Sequence, residues 1–171
     1  EIYLALENID SAKIYFEKGI TVKEDGKFNY IGLGEISLDK GNAAEADANF
    51  AKATADLRKK DTEEFLYIAK AYVNSENPDY KKAIASAKKA TTINPKFAQA
   101  FLTLGDAQVG DKDVNSAYSS YRTAYDLDNS LLRAKMQLGV ITKNAKAFPE
   151  AIAAFDEVIK FKDERIVLKK I

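Results

Sequence analysis

The chain has no cysteine, no histidine and no tryptophan. Without cysteine there is neither a disulfide nor a thiol nucleophile, and without histidine no Ser-His or Cys-His relay. Together the two absences remove the usual zinc ligands. An excess of charge of either sign is missing too: Lys+Arg and Asp+Glu both total 26, which gives no global case for nucleic acid or an anionic membrane. No run approaches the ~18 consecutive apolar residues of a membrane span. Residues 1–6, Glu-Ile-Tyr-Leu-Ala-Leu, carry no basic leader and no long apolar stretch, so no signal peptide is visible. The chain also starts without Met, which leaves a removed signal and an excised segment both open. Zero cysteine fits a bacterial cytoplasm and a periplasm equally well, so the compartment is unassigned.

What is present is helical. Glycine (8) and proline (3) are scarce, and 46% of the 171 residues are hydrophobic, recurring every three or four positions. Residues 98–109 carry Phe101, Leu104 and Gln108 on one face; residues 114–127 carry Val114, Ala117, Tyr121, Ala124 and Leu127 on another. Between them Gly110-Asp111-Lys112-Asp113 reads as a turn, Gly as helix stop and Asp as the next N-cap. Similar breaks fall at Asp39–Asn42, Asn74–Asp79 and Asn144–Pro149. Short breaks between helices of three to four turns predict antiparallel helix hairpins.

The hairpins repeat. A small residue stands at Ala12, Ala46, Ala83, Ala117 and Ala151, at separations of 34, 37, 34 and 34. Four residues after each come Phe16, Phe50, Ala87, Tyr121 and Phe155; seven after, Gly19, Ala53, Ala90, Ala124 and Val158. Ahead of them stand Leu33-Gly34, Ile68-Ala69, Leu104-Gly105 and Leu138-Gly139, each preceded at three residues by Tyr30, Phe65, Phe101 or Lys135. This pattern resembles the tetratricopeptide repeat, whose 34 residues carry an aromatic, Leu-Gly, Tyr, then Ala, Phe, Ala and Pro. Pro95 is the one closing Pro retained, and Gln108 and Ser37 stand where the family's helix-A Tyr would be, which Tyr3 and Tyr72 keep.

The resemblance implies an all-α fold, a right-handed superhelical solenoid of antiparallel helix hairpins, with the chain a single array over 1–171. Residues 1–26 read as a partial repeat (the end of helix A plus helix B), 27–61 as a repeat, and 62–97 as a repeat with a two-residue loop insertion. Residues 98–131 and 132–165 are further repeats, and 166–171 the start of another helix. Small residues at the crossing let the two helices of a hairpin approach, and aromatics fill the wedge between hairpins. The expected core is Tyr30, Leu33, Phe50, Phe65, Ile68, Phe101, Leu104, Tyr121, Leu138 and Phe155, with looser packing at Lys135, which replaces the aromatic. Neither end looks capped, so the chain reads as a segment of a longer array.

Little chemistry is legible. Asp111-Lys112-Asp113-Val114-Asn115 begins like a calcium loop, but its sixth position is Ser116 and its twelfth Arg122, so it reads as a helix corner. Gly32-Leu33-Gly34 lies in an amphipathic stretch and lacks the rest of a phosphate loop. Glu63-Glu64 suits a helix start, and Lys59-Lys60 and Lys88-Lys89 suit solvated faces. Residues 132–171 have a mild basic bias without interleaved exposed aromatics, so nucleic-acid binding is not expected. The reading is of a protein that is not an enzyme and takes no cofactor or metal.

In the family it resembles, helix A lines a concave groove and its second, fifth, sixth and ninth positions touch ligand. The resemblance carries this to Ile31, Leu66, Leu102 and Met136 at the fifth position and to Glu35, Lys70, Asp106 and Val140 at the ninth. Tyr67, Thr103 and Gln137 are sixth; Phe28, Glu63, Gln99 and Arg133 are second. Ile31, Leu66, Tyr67, Leu102 and Met136 are expected as groove contacts, and Glu35, Lys70 and Asp106 as charges at its side. The family's clamp for acidic chaperone tails needs Lys and Asn, then Lys and Arg, at fifth and ninth positions; none of these pairs is here. The expected function is a non-catalytic scaffold holding a peptide or helix of a protein partner, with no direct membrane insertion. The alternative is a structural spacer, or a segment that self-associates end to end, with an empty groove.

Overall fold

The structure, a computed structural model, describes residues 9–22, 26–55 and 61–168, with side chains as far as Phe161. Every regular element among them is a helix: α1 Ile9–Val22, α2 Lys27–Asp39, α3 Ala43–Thr54, α4 Glu63–Asn74, α5 Tyr80–Ile93, α6 Ala98–Gly110, α7 Val114–Leu127, α8 Leu132–Asn144 and α9 Phe148–Leu168. Close contacts divide the chain into two units, Glu1–Pro95 and Lys96–Ile171. In the first, α2 packs on α3 and α4 on α5 as hairpins, with α1 against α2 and α2 against α4. In the second, α6–α7 and α8–α9 are the hairpins, and α7 joins them by packing on α8.

Helix stops come from a recurring backbone motif. After α2, α6 and α8 the chain turns through a residue with positive φ: Gly41 (76°), Lys112 (66°) and Lys146 (62°). In each case its N–H, and that of the residue after it, donate back to the last helical turn. The pairs are Gly41 to Leu38 and Asn42 to Ser37, Lys112 to Val109 and Asp113 to Gln108, Lys146 to Lys143 and Ala147 to Thr142. This is the Schellman closure, which satisfies carbonyls that the helix end leaves open. The stop expected at Gly110 thus lies two residues later: Gly110 is the last residue of α6, and Lys112 takes the left-handed conformation. Asp113 and Asp79 cap the helices that follow, accepting from the N–H of Ser116 at 3.1 Å and of Lys82 at 3.0 Å. The connection Ser75–Asp79 is two residues longer than Lys40–Asn42, which accounts for two of the three extra residues in the 37-residue spacing.

Within the hairpins, a glycine faces an aromatic ring. A Cβ on Gly34 would lie 2.3 Å from the Phe50 ring, on Gly105 2.6 Å from Tyr121, and on Gly139 2.7 Å from Phe155. The α4–α5 hairpin has Ala69 in the glycine's place, and there the ring's position is held by Ala87, both fully buried. The added methyl on one helix is matched by the lost ring on the other, as close packing requires. Of the expected core, Phe50, Ile68, Leu104, Tyr121 and Leu138 are buried, while Tyr30, Leu33, Phe65, Phe101 and Phe155 are half-buried at the flanks.

Polar side chains complete the seams. Tyr72 donates to Asp47, tying α4 to α3, and Lys82 on α5 grips the same carboxylate. Gln108 accepts a buried hydrogen bond from Ser120 at 2.6 Å, so the position where the repeat pattern carries Tyr is filled by an amide with its own partner. The looser packing expected at Lys135 is replaced by an ion pair. Lys135 Nζ lies 2.6 Å from Glu157 Oε2 and 5.0 Å from the centre of the Tyr125 ring, whose hydroxyl donates to the same carboxylate. In the two hairpins of the first unit these positions hold a ring and a lysine: Lys52 over Tyr30 at 5.5 Å, Lys89 over Phe65 at 5.3 Å. When the ring becomes lysine, the lysine becomes glutamate, and the contact persists through different physics.

The helix expected to open at residue 166 does not; α9 continues to Leu168. No Gly or Pro occurs in 156–168 to stop it. The partial helix expected over the first eight residues, and Lys59-Lys60, lie outside the described residues.

Candidate functional site

A cavity of about 640 Å³ opens in the first unit, lined by α2 and α4 with one ring from α1. Its α2 wall is Phe28, Ile31, Gly32 and Glu35, with Asn29 beside them; its α4 wall is Glu63, Tyr67, Lys70 and Asn74. Both sets have helical spacing, i, i+3, i+4, i+7 on one and i, i+4, i+7, i+11 on the other, so each is a single stripe. Lys27 Nζ and Asp61 Oδ2, 3.0 Å apart, hold the starts of the two helices together. The stripes therefore run in the same sense and can be read level by level: Phe28 with Glu63, Ile31 and Gly32 with Tyr67, Glu35 with Lys70.

Phe16 from α1 forms the floor. A Cβ on Gly32 would meet the end of its ring at 2.4 Å, so any other residue at 32 would push Phe16 away. Similarly Asn29 seats its amide against Gly19, whose Cβ would meet it at 2.4 Å. Phe28 and Tyr67 meet edge to face, centroids 5.6 Å apart and planes at 88°, a favoured aromatic geometry. Lys70 Nζ lies 5.4 Å from the centre of the Tyr67 ring. From Phe28 to Glu35 the wall is about 10 Å long and from Glu63 to Asn74 about 16 Å, at 1.5 Å per helical residue. That length suits three to five residues of extended chain at about 3.4 Å each.

Of the residues expected at the groove, Ile31, Glu35, Tyr67 and Lys70 all line this cavity. Leu66 is buried and is not among the lining residues, whereas Ile31, equally buried, backs the cavity. Leu102 is likewise buried, in the second unit's core with Ala117, Tyr121, Ala124, Ala134 and Leu138. Met136 is exposed on α8. Asp106 accepts from the Tyr121 hydroxyl at 2.9 Å and pairs with Arg133 Nη2 at 2.9 Å. Burial and the Asp106 charge beside it push the Tyr121 hydroxyl well above the usual tyrosine range. Phe16, Asn29 and Asn74 were not singled out for the groove. Phe16 belongs to a helix B, Asn29 flanks the α2 stripe, and Asn74 continues the α4 stripe one turn beyond the ninth position. Asp111 and Asp113, the remnant of a calcium-loop pattern, are at a helix corner, where Asp113 is an N-cap.

Stacked antiparallel helix hairpins, with a concave cavity between successive first helices, define a helical-repeat protein. Part of the chain matches the tetratricopeptide repeat: the profile of that family covers residues 1–25 and 66–97, and the fold recurs in solved structures, one of them described as a TPR protein. MamA from Desulfovibrio magneticus RS-1 superposes with a TM-score of 0.72 at 18% identity, over 95% of this chain and 90% of that one. The protein pilF of Pseudomonas aeruginosa gives 0.73 at 16% identity, over 92% and 71%. YrrB, described as a TPR protein with an unusual peptide-binding site, gives 0.65 at 18% identity, over 99% and 88%. No curated protein sequence matches the chain significantly. Among the described residues no helix is long and apolar enough to cross a membrane.

Proposed function

We propose that this protein is a non-catalytic scaffold that holds an extended segment of a partner protein in the cavity between α2 and α4. The observation that carries the reading is the cavity itself. Its volume, about 640 Å³, lies in the range of specific ligand sites, and aromatic walls with a few convergent polar groups are what such sites have. Asn29 and Asn74 offer amides to a peptide backbone, and the Phe28–Tyr67 pair offers apolar surface to a side chain. The peptide-binding site named for YrrB is in keeping with this use of the fold.

Phe28 is the residue to test, because it lines the cavity yet is 50% exposed. Its truncation therefore removes ligand contact with little loss of core. A phage-displayed random octapeptide library panned on the protein should yield clones that lose at least tenfold in affinity on Phe28→Ala, with an unchanged melting curve. Clones that bind parent and variant alike, or no clones at all, would remove the cavity as the working surface.

A second reading has its own observation. Phe148, Ile152 and Ile159 share one stripe of α9 and each is more than half exposed. In this reading the stripe mediates self-association. A light-scattering mass that rises with concentration and returns to the monomer value on Ile152→Glu is its expected result; a constant monomer mass rejects it.

A further inference from the structure

Resting on the peptide-binding reading, we infer that the cavity selects a segment with a basic side chain, arginine above all, one or two residues from an apolar anchor. The argument is the distribution of charge along the two stripes. Among the described residues three charged side chains line the cavity: Glu35, Glu63 and Lys70. Glu35 and Lys70 face each other at the same level near the helix ends, so their fields largely cancel for a ligand in between. Glu63 stands apart, at the first residue of α4, and makes no ion pair with any described residue. The net negative charge of the cavity is therefore concentrated at one end.

That same end carries the exposed ring. Phe28 is the second residue of α2, and the Lys27–Asp61 pair beside it holds the two helix starts together. Tyr67 lies one turn beyond Glu63 on the same face of α4 and packs edge to face against Phe28. A half-exposed aromatic next to an unneutralised carboxylate matches a planar guanidinium, which stacks on the ring and forks onto the carboxylate. Lysine would make the charge contact but not the stacking. An acidic side chain would meet Glu63 and find Lys70 already drawn over the Tyr67 ring. The central apolar level, with Phe16, Ile31 and Gly32, then takes the anchor side chain, one or two extended residues further on.

The peptides selected on the parent protein provide the test. Their sequences should be enriched in Arg, and less so in Lys, within two positions of Phe, Tyr, Leu or Ile. For one synthetic clone, Arg→Gln in the peptide should weaken binding to the parent about fivefold, the scale of a partly exposed ion pair with stacking. On Glu63→Gln the same peptide change should cost less than twofold, while Glu63→Lys should shift selection toward Asp and Glu. Enrichment of acidic residues on the parent, or an Arg→Gln effect unchanged by Glu63→Gln, overturns the inference. Loss of binding on Phe28→Ala tests the cavity independently. If that loss occurs without the Glu63 dependence, the peptide-binding reading stands and only the choice of a basic ligand fails.

Discussion

The two units use equivalent positions of the repeat in opposite ways. In the first, the ninth positions of α2 and α4 place Glu35 and Lys70 on the wall of a cavity. In the second, the ninth position of α6 places Asp106 under the Tyr121 hydroxyl and against Arg133 of α8. One difference behind this is a single hydroxyl. At the wedge position of the α2–α3 hairpin stands Phe50, which has no polar atom to offer; in α6–α7 the same position is Tyr121, which reaches across to the carboxylate. A charge that a neighbouring hydroxyl and guanidinium have taken up is part of the seam between helices. Glu35 and Lys70 instead line the cavity wall, Lys70 over the Tyr67 ring. Repeat position alone therefore does not make a residue a ligand contact.

Exposure also separates a ring of the seam from a ring of the cavity. Tyr121 is 1% exposed and Phe28 is 50% exposed. Tyr121→Ala should destabilise the protein by about 3–5 kcal/mol, read as a lower denaturation midpoint, whereas Phe28→Ala should leave it nearly unmoved. Equal effects would erase the distinction between seam and surface.

The next largest effect should come from the hairpin that departs from the glycine–ring rule. Ala87→Phe would drive a ring onto Ala69 and cost about 1–3 kcal/mol through overpacking. Ala69→Gly in the same chain should recover at least half of that loss, despite the roughly 1 kcal/mol penalty of glycine inside a helix. Without recovery, the two positions are not facing partners.

Proton linkage sharpens the contrast at higher pH. Burial and the neighbouring carboxylates raise Tyr72, Tyr121 and Tyr125 above the usual tyrosine value of 10, Tyr125 to about 12. With folded values above the unfolded one, the unfolded chain loses these protons first. Stability is thus fully present below pH 10 and falls as pH rises beyond it. Tyr125→Phe should flatten the part of that decline between pH 10 and about 12, measured by urea unfolding at a series of pH values. An unchanged slope would place Tyr125 in an ordinary solvated setting. At the acid end, hydrogen bonds from Lys135 and Tyr125 hold Glu157 below the usual carboxylate range. Its contribution is present above that range and is lost as pH falls through the lowered value.

The smallest effect concerns the helix stops. Gly41 occupies its left-handed position without strain, while Lys112 and Lys146 do so with a Cβ. Lys112→Gly should therefore stabilise the second unit by about 0.5–1 kcal/mol, and Gly41→Ala should destabilise the first by a similar amount. A Lys112→Gly variant that melts lower would mean that its side chain supports the turn.

Much of the fold was legible because it depends on size and period, which are properties of the residues themselves. A small residue every 34 positions, a ring four places on and Leu-Gly ahead of it define which faces meet. The helix stops were only half legible. The Schellman closure needs a left-handed residue, and with lysine at 112 and 146 nothing in the residue type announces it. The packing at Lys135 is not legible for a related reason: its partners Tyr125 and Glu157 are ten residues before and twenty-two after it, and only packing brings them together. The candidate site divides the same way. Ile31, Glu35, Tyr67 and Lys70 follow from helical period and the family's contact positions, whereas Phe16 enters through Gly32, whose lack of a side chain matters only once α1 lies against α2.

Sequence by itself therefore determined the helices and their pairing into hairpins. Those properties reside in local spacing and side-chain volume. Tertiary structure alone decided which stripes close into seams and which leave a cavity. In the second unit the seam closes where Asp106 meets the Tyr121 hydroxyl and Arg133, partners on different helices brought within 3 Å only by the folded chain.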